Sequence, residues 1–118
     1  MKEAYAHKYI GLVNFIQGDY VLSVKNWEEA LTIFRDIGNK EGTANMMSNL
    51  GVIYNNQGNE ARALELYIGS LKLAREIQDT IRMITTINNI GLIYAKKVSE
   101  GSLAIEYFQE ALDPLCCC

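Results

Sequence analysis

From Lys40 to Gln57 the apolar residues Met46, Met47, Leu50, Ile53 and Tyr54 recur at intervals of three and four. That is the period of one helix face, not the alternation of a strand. Gly58-Asn59 interrupts the stripe, which resumes from Glu60 to Gln78 through Ala63, Leu64, Tyr67, Leu71, Ala74 and Ile77. The segment therefore predicts a pair of helices joined by a tight turn. Gly38-Asn39 offers a C-cap and then an N-cap ahead of this unit, and Asp79-Thr80 opens the next one with an N-cap. The flanking segments follow the same plan. The first unit predicts helices over about 2–17 and 20–37 around a turn at Gly18-Asp19; the third predicts a helix over 80–97, a turn through Ser99-Glu100-Gly101, and a second helix from Ser102.

The units repeat in sequence as well as in pattern. Asn49-Leu50-Gly51-Val52-Ile53-Tyr54 returns as Asn89-Ile90-Gly91-Leu92-Ile93-Tyr94, and more faintly as Tyr9-Ile10-Gly11-Leu12-Val13-Asn14, with Gly11, Gly51 and Gly91 spaced forty residues apart. Self-similarity at such a period marks a solenoid, in which each helical pair buries its apolar face against the next. A glycine in mid-helix costs about 1 kcal/mol relative to alanine, so its recurrence at one place implies a packing role. Gly11, Gly51 and Gly91 leave room on the first helix of each pair, and Ser23, Ala63 and Ala104 leave room on the second. Trp27, Tyr67 and Phe108 then fill the slot four residues on. The third unit carries one extra residue before its aromatic, and the first has Asn14 where the others have Tyr54 and Tyr94.

The set Leu50, Gly51, Tyr54, Ala63, Tyr67 and Ser70, matched by Ile90, Gly91, Tyr94, Ala104, Phe108 and Ala111, resembles the tetratricopeptide repeat. The resemblance spans nearly the whole chain. It implies an all-α fold of three helix-turn-helix repeats, six helices in all, stacked as a right-handed solenoid in a single domain over 1–115. The repeats would fall at about 1–38, 39–78 and 79–115, with 116–118 as a cysteine tail. The departures are Asn14 for the tyrosine, a period of forty in place of the usual thirty-four, and no proline closing the second helix. The longer period is similar to that of bacterial peptide-sensing regulators, spindle-orientation adaptors and sensory regions fused to cyclases or histidine kinases. A piece of a larger signalling or adaptor protein is the implied setting.

The 118 residues are 49% hydrophobic and 21% charged, with a net charge of −3. This is the makeup of one ordinary folded domain, and it argues against non-specific binding to nucleic acid or anionic membrane, which needs clustered Lys and Arg. No apolar run approaches the ~20 residues of a membrane span, and Met1-Lys2-Glu3-Ala4-Tyr5 lacks a signal-peptide core. The default expectation is a cytoplasmic protein. Cys116, Cys117 and Cys118 are the only cysteines, too close together and too far from His7 to predict a disulfide framework or a zinc site. Leu115 stands where a prenylation box would need its cysteine, so a fragment end is the expected reading of the tail.

No enzyme motif is present. His7 is the only histidine and has no nucleophile paired with it, so a structural or solvent role is expected. Gly38-Asn39-Lys40-Glu41-Gly42-Thr43 resembles a phosphate loop only superficially, with the wrong spacing and no strand before it. Met46 and Met47 read as core. The expectation is a non-catalytic protein with no metal and no cofactor.

If Leu50, Gly51 and Tyr54 face the second helix of the pair, the opposite face of the first helix holds Asn45, Ser48, Asn49, Val52, Asn55 and Asn56. In the third unit that face holds Thr85, Asn88, Asn89, Leu92, Ala95 and Lys96. Asparagine is a mediocre helix former, and exposed helix faces are normally filled with Glu, Lys, Gln or Arg. A side-chain amide donates and accepts at once, which suits the alternating N–H and C=O of an extended peptide. The family resemblance implies that these inner helices line a concave groove, with Asn49 and Asn89 where a groove asparagine grips ligand backbone. A solvated face, or a polar seam between helices, would carry the same residues.

The family's best-defined peptide site, the clamp for a chaperone tail, is matched by Lys8 and Asn49 only. Leu12, Thr85 and Asn89 stand in place of its other asparagine, lysine and arginine, so that clamp is not expected. The first unit contributes Tyr5, Tyr9, Leu12, Phe15 and Ile16 beside Lys8, favouring a ligand with an apolar anchor at one end and backbone contacts at the other. The function expected is therefore capture of a peptide or partner helix in the groove. The rival is self-association of a longer solenoid: Pro114 falls where Leu73 lies in the second repeat and should stop the last helix early, leaving Ile105, Leu112 and Leu115 without a neighbour and predicting a dimer or a truncated parent.

Overall fold

The computed structural model describes residues 2–96, which form five α-helices: α1 (Lys2–Ile16), α2 (Tyr20–Asp36), α3 (Lys40–Asn56), α4 (Glu60–Glu76) and α5 (Thr80–Ala95). Each packs on the helix before it and the helix after it, giving two complete pairs and the first helix of a third. The second helix expected from Ser102, the apolar residues Ile105, Leu112 and Leu115, Pro114 and the cysteine tail lie outside the described residues. The observed helices end one to two residues before the ends read from periodicity.

The shortening has a local cause, repeated at every turn. Gln17, Ile37, Gln57 and Ile77 leave the helical register as C-caps or the residues just before the turn, and the next residue takes a positive φ: 80° at Gly18, 73° at Gly38, 83° at Gly58 and 58° at Gln78. Glycine accepts that backbone without a Cβ penalty. At the first turn Gly18 N donates to Phe15 O (3.0 Å) and Asp19 N to Asn14 O (2.8 Å), the bond pair of a Schellman motif, and the other three turns repeat it. The residue that closes one helix then opens the next. The side chains of Asp19, Asn39, Asn59 and Asp79 accept from the backbone N–H of Leu22, Gly42, Arg62 and Arg82 at 2.9–3.2 Å. Turns within a pair and between pairs are thus alike, and the helices succeed one another every twenty residues.

Within each pair the expected glycine–aromatic contact is present. A Cβ on Gly11 would collide with the Trp27 indole, and one on Gly51 would lie 2.7 Å from Tyr67 Cε1. Trp27 Nε1 donates to Lys8 O (2.9 Å) and Ser23 Oγ to Gly11 O (2.9 Å), so the buried polar atoms of α2 are satisfied by α1 backbone. In the second pair Ser70 Oγ plays the same part toward Ala44 O at 2.8 Å. Between pairs the same device recurs unexpectedly, with Phe34 of α2 filling the space over Gly42 of α3. Two apolar clusters result, one through Trp27, Phe34, Met46, Leu50 and Ile53, the other through Tyr67, Leu71, Ile87, Ile90 and Ile93. Met46 is core as expected; Met47 is only half-buried and lies against Gly69.

Candidate functional site

Where α3 and α5 run side by side they leave a cleft of about 340 Å³ lined by Ser48, Asn49 and Val52 from α3, by Ile81, Arg82, Thr85, Thr86 and Asn89 from α5, and by Asp79 at the α5 cap. Five of the thirteen residues expected in the groove meet here: Ser48, Asn49, Val52, Thr85 and Asn89. The spacing explains it, because positions four apart stand above one another on a helix. Val52 supplies an apolar floor and packs against the second core cluster.

The hydrogen bonds decide which of these groups can meet a ligand. Ser70 donates to Ala44 O, so in the 2.6 Å contact between Ser48 and Ser70 the hydrogen belongs to Ser48. Thr85 Oγ1 donates to Ile81 O at 3.0 Å, the usual retreat of a hydroxyl onto its own helix. Both hydroxyl hydrogens are therefore engaged. Asn49 and Asn89 are half-buried, and neither amide is hydrogen-bonded to another described residue. These two amides and the Arg82 guanidinium keep hydrogen-bonding capacity open in the cleft.

The other expected residues are spread along the same helices. Asn45 and Asn88 are half-buried, while Asn56, Leu92 and Lys96 are exposed. Asn55 Oδ1 is enclosed without a hydrogen bond. Lys8 and Leu12 stand on α1, Lys8 half-buried and Leu12 exposed like Tyr5, Tyr9 and Ile16, and Lys8 Nζ lies 5.6 and 5.3 Å from the Tyr5 and Tyr9 ring centroids. Tyr5, Tyr9, Leu12 and Ile16 on α1 share a register with Asn45, Asn49, Val52 and Asn56 on α3. Asp79, Ile81, Arg82 and Thr86 were not expected in the cleft. They fall at the N-cap and in the first two turns of α5, of which only Asp79 and Thr80 are expected from the sequence to have a role, as a cap; the Asp79–Arg82 spacing of three was the available clue.

His7 has the structural role expected. Asn26 Nδ2 donates to Leu22 O and to Asn14 Oδ1, each at 3.0 Å, which turns Asn26 Oδ1 toward His7 Nδ1 at 3.0 Å; His7 Nε2 lies 3.1 Å from Glu29 Oε2. A second cavity of about 330 Å³ opens at the α2–α3 turn between Arg35, Lys40, Met47, Gly69 and Leu73, with Lys40 Nζ paired to Glu76 at 3.2 Å. Among the described residues no three His, Cys, Asp or Glu side chains cluster as a metal ion would require, and no helix is long and apolar enough to cross a membrane.

Stacked helical hairpins joined by one recurring turn define a helical-repeat protein. The tetratricopeptide repeat profile matches residues 3–76 and again 42–113, and the chain belongs to that family. It is a protein–protein interaction module. Curated relatives include the photosystem I assembly protein Ycf3 of Synechococcus sp. (strain CC9605), 30% identical over 118 residues covering 95% of this chain and 63% of the relative. Ycf3 of Synechococcus sp. (strain CC9311) is 31% identical over 96 residues, 81% of this chain and 50% of the relative. Ycf3 of Prochlorococcus marinus (strain MIT 9211) is 30% identical with the same coverage. The chain spans half to two thirds of the length of these relatives. They are named as assembly proteins, so the signalling or adaptor setting implied by the forty-residue period finds no support in them.

Proposed function

We propose that this domain holds an extended segment of a client protein in the groove formed by the aligned faces of α1, α3 and α5, in the manner of an assembly factor rather than an enzyme. The observation that carries the reading is the pair of amides, Asn49 and Asn89, half-buried in one cleft and bonded to nothing else described. Two such amides at a forty-residue spacing can each exchange two hydrogen bonds with an extended backbone. The exposed Tyr5, Tyr9, Leu12 and Ile16 on α1 supply an apolar anchor at one end. Photosystem I assembly, the role named for the relatives, supplies one setting for such a client, and a cytoplasmic location is part of the same reading. Peptides selected on the full chain from a random-peptide phage library should bind Asn49→Ala and Asn89→Ala about tenfold more weakly each, at unchanged melting temperature. Unchanged affinities would remove the backbone grip.

Self-association is a second reading, favoured by α1. Ile10 and Val13 are 50% and 51% exposed, whereas Leu50, Ile53, Ile90 and Ile93, at the equivalent places, are buried against the preceding helix. A second copy seated on α1 would cover them. Sedimentation equilibrium of the full chain and of Ile10→Lys/Val13→Lys tests this, with a concentration-independent monomer mass for the parent chain counting against it.

A further inference from the structure

The two junctions between helix pairs are built in opposite senses. At the first, bulky Phe34 of α2 covers Gly42 of α3. At the second, the residues forty positions on are Ala74, fully buried, and Arg82. A cation thus stands where the first junction has a glycine. The Arg82 side chain is 23% exposed, so most of it has left water. Its Nε is enclosed without a hydrogen bond; Asp79 Oδ2 lies 3.5 Å away, an ion pair that is not a hydrogen bond. Asp79 is already committed, since its Oδ1 caps the Arg82 backbone N–H at 3.1 Å and its charge faces the positive end of α5. The remaining guanidinium N–H groups have no hydrogen bond to a described residue.

A largely desolvated guanidinium with open donors is costly unless something completes it. Asp79 and Arg82 are the two charged residues lining the cleft, and the hydroxyls of Ser48 and Thr85 have their hydrogens engaged. A ligand oxygen entering beside Asn49 and Asn89 would therefore meet Arg82 as its strongest donor. We infer that the α3–α5 cleft reads an aspartate or glutamate side chain of the bound segment through the Arg82 guanidinium, while Asn49 and Asn89 hold the backbone on either side. The inference rests on the groove reading above and narrows it to a client segment with an apolar residue toward α1 and an acidic one toward α5. Arg82 lies three and seven residues before Thr85 and Asn89, the positions of the chaperone-tail clamp, so the group read is a side-chain carboxylate rather than a chain terminus.

The test uses the full chain and the random-peptide phage library. Recovered peptides should share an acidic position at a fixed distance from an apolar one. For a synthetic peptide of that consensus, changing the acid to its amide should weaken binding about ten- to hundredfold in fluorescence polarisation. Arg82→Gln, which keeps much of the packed stem, should erase that difference and leave affinity for the amide peptide as it was. Arg82→Lys, the second variant if Arg82→Gln melts early, should retain part of the preference. Groove-dependent peptides without an acidic position, or a difference that survives Arg82→Gln, would overturn the inference while leaving the groove intact. Failure to recover any peptide sensitive to Asn49→Ala or Asn89→Ala would overturn both.

Discussion

Trp27 over Gly11 and Tyr67 over Gly51 close the first and second helix pairs in the same way, yet the two pairs differ on the face turned toward the preceding repeat. In the second pair that face carries Met47, Tyr54, Leu66 and Gly69; Leu66 belongs to the first core cluster, and Met47 and Tyr54 pack against it. In the first pair the equivalent places hold His7, Asn14, Asn26 and Glu29, tied to one another by polar contacts of 3.0–3.1 Å. The difference separates two jobs within one repeat. The buried glycine–aromatic contact sets how a pair closes, and the outer positions vary from one pair to the next. Polar groups satisfied among themselves can face water, whereas Leu66 needs a neighbour.

The sharpest way to break this parallel is to remove the aromatic from each pair. Truncating a buried Trp or Tyr to alanine costs about 3–5 kcal/mol, and both substitutions should lower the urea midpoint by corresponding amounts. Where the damage falls should differ. Trp27 clamps α1, whose main packing partner is α2, and its cluster reaches α3 and α4 but not α5, so Trp27→Ala should shed amide protection most in α1 and α2 while α5 stays slow to exchange. Tyr67 sits at the centre of the stack and joins the cluster that reaches α5, so Tyr67→Ala should lower protection on both sides of it. Equal, uniform loss of exchange protection in both variants would show the pairs to be one cooperative block.

Alkaline pH addresses the same contrast with a smaller effect. Burial pushes the Tyr67 phenol from 10.0 up to about 12. Its stabilising contribution is intact below the unfolded value and is lost as pH rises through the folded one, because the unfolded phenol releases its proton first. Between about pH 10 and 12 the second pair should lose of order 2 kcal/mol. Tyr54 is displaced in the same direction, by burial first and then by the Glu28 carboxylate that accepts its hydroxyl. Trp27 has no ionisable proton in this range. Tyr67→Phe should therefore flatten most of the alkaline limb of a stability–pH curve; an unchanged limb would place the sensitivity elsewhere.

The glycines distinguish packing from propensity. At Gly11 a methyl group would strike the Trp27 ring, which is confined between helices, so Gly11→Ala should cost about 1–3 kcal/mol despite alanine's better helix propensity. At Gly69 a methyl group would meet only the terminal methyl of Met47, which can swing aside. Gly69→Ala should then be neutral or stabilising by up to about 1 kcal/mol. Thermal melts of the two variants shifting in the same direction would contradict the assignment of Gly11 to close packing.

The glycine–aromatic rule was legible because it recurs: Gly11 with Trp27 and Gly51 with Tyr67 are tied by one spacing, and helix periodicity placed the first five helices to within one or two residues. The cleft was half legible. Ser48, Asn49, Val52, Thr85 and Asn89 follow from reading the face opposite Leu50 and Tyr54, but periodicity alone does not reveal that the hydroxyls of Ser48 and Thr85 spend their hydrogens internally. Arg82 was missed because a charged residue in a first turn reads as solvated, and only the reversed sizes at Ala74 and Arg82 show it entering a junction. The His7–Asn26 network was invisible for a related reason: its members come from two helices, and no repeat elsewhere in the chain supplies a second example.

The turns give the finest comparison. Three of the four carry glycine at the left-handed position, and the fourth carries Gln78 at φ 58°. An L-residue held there is strained by about 1–2 kcal/mol, while glycine adds about 0.5–1 kcal/mol of unfolded-chain entropy to be lost on folding. Gln78 is exposed and has no side-chain hydrogen bond to a described residue that would offset the strain. Gln78→Gly should therefore raise stability by somewhat less than about 1 kcal/mol, and Gly58→Gln should lower it by a similar amount. The pair is read as opposite shifts of the urea midpoint at constant slope. Because the Schellman bonds and the Asp79 cap are already in place at the fourth turn, with Asp79 N reaching Ala74 O at 2.9 Å, a gain from Gln78→Gly would come from the backbone alone. No gain would mean that the glutamine side chain stabilises the native turn by as much as its backbone strain costs.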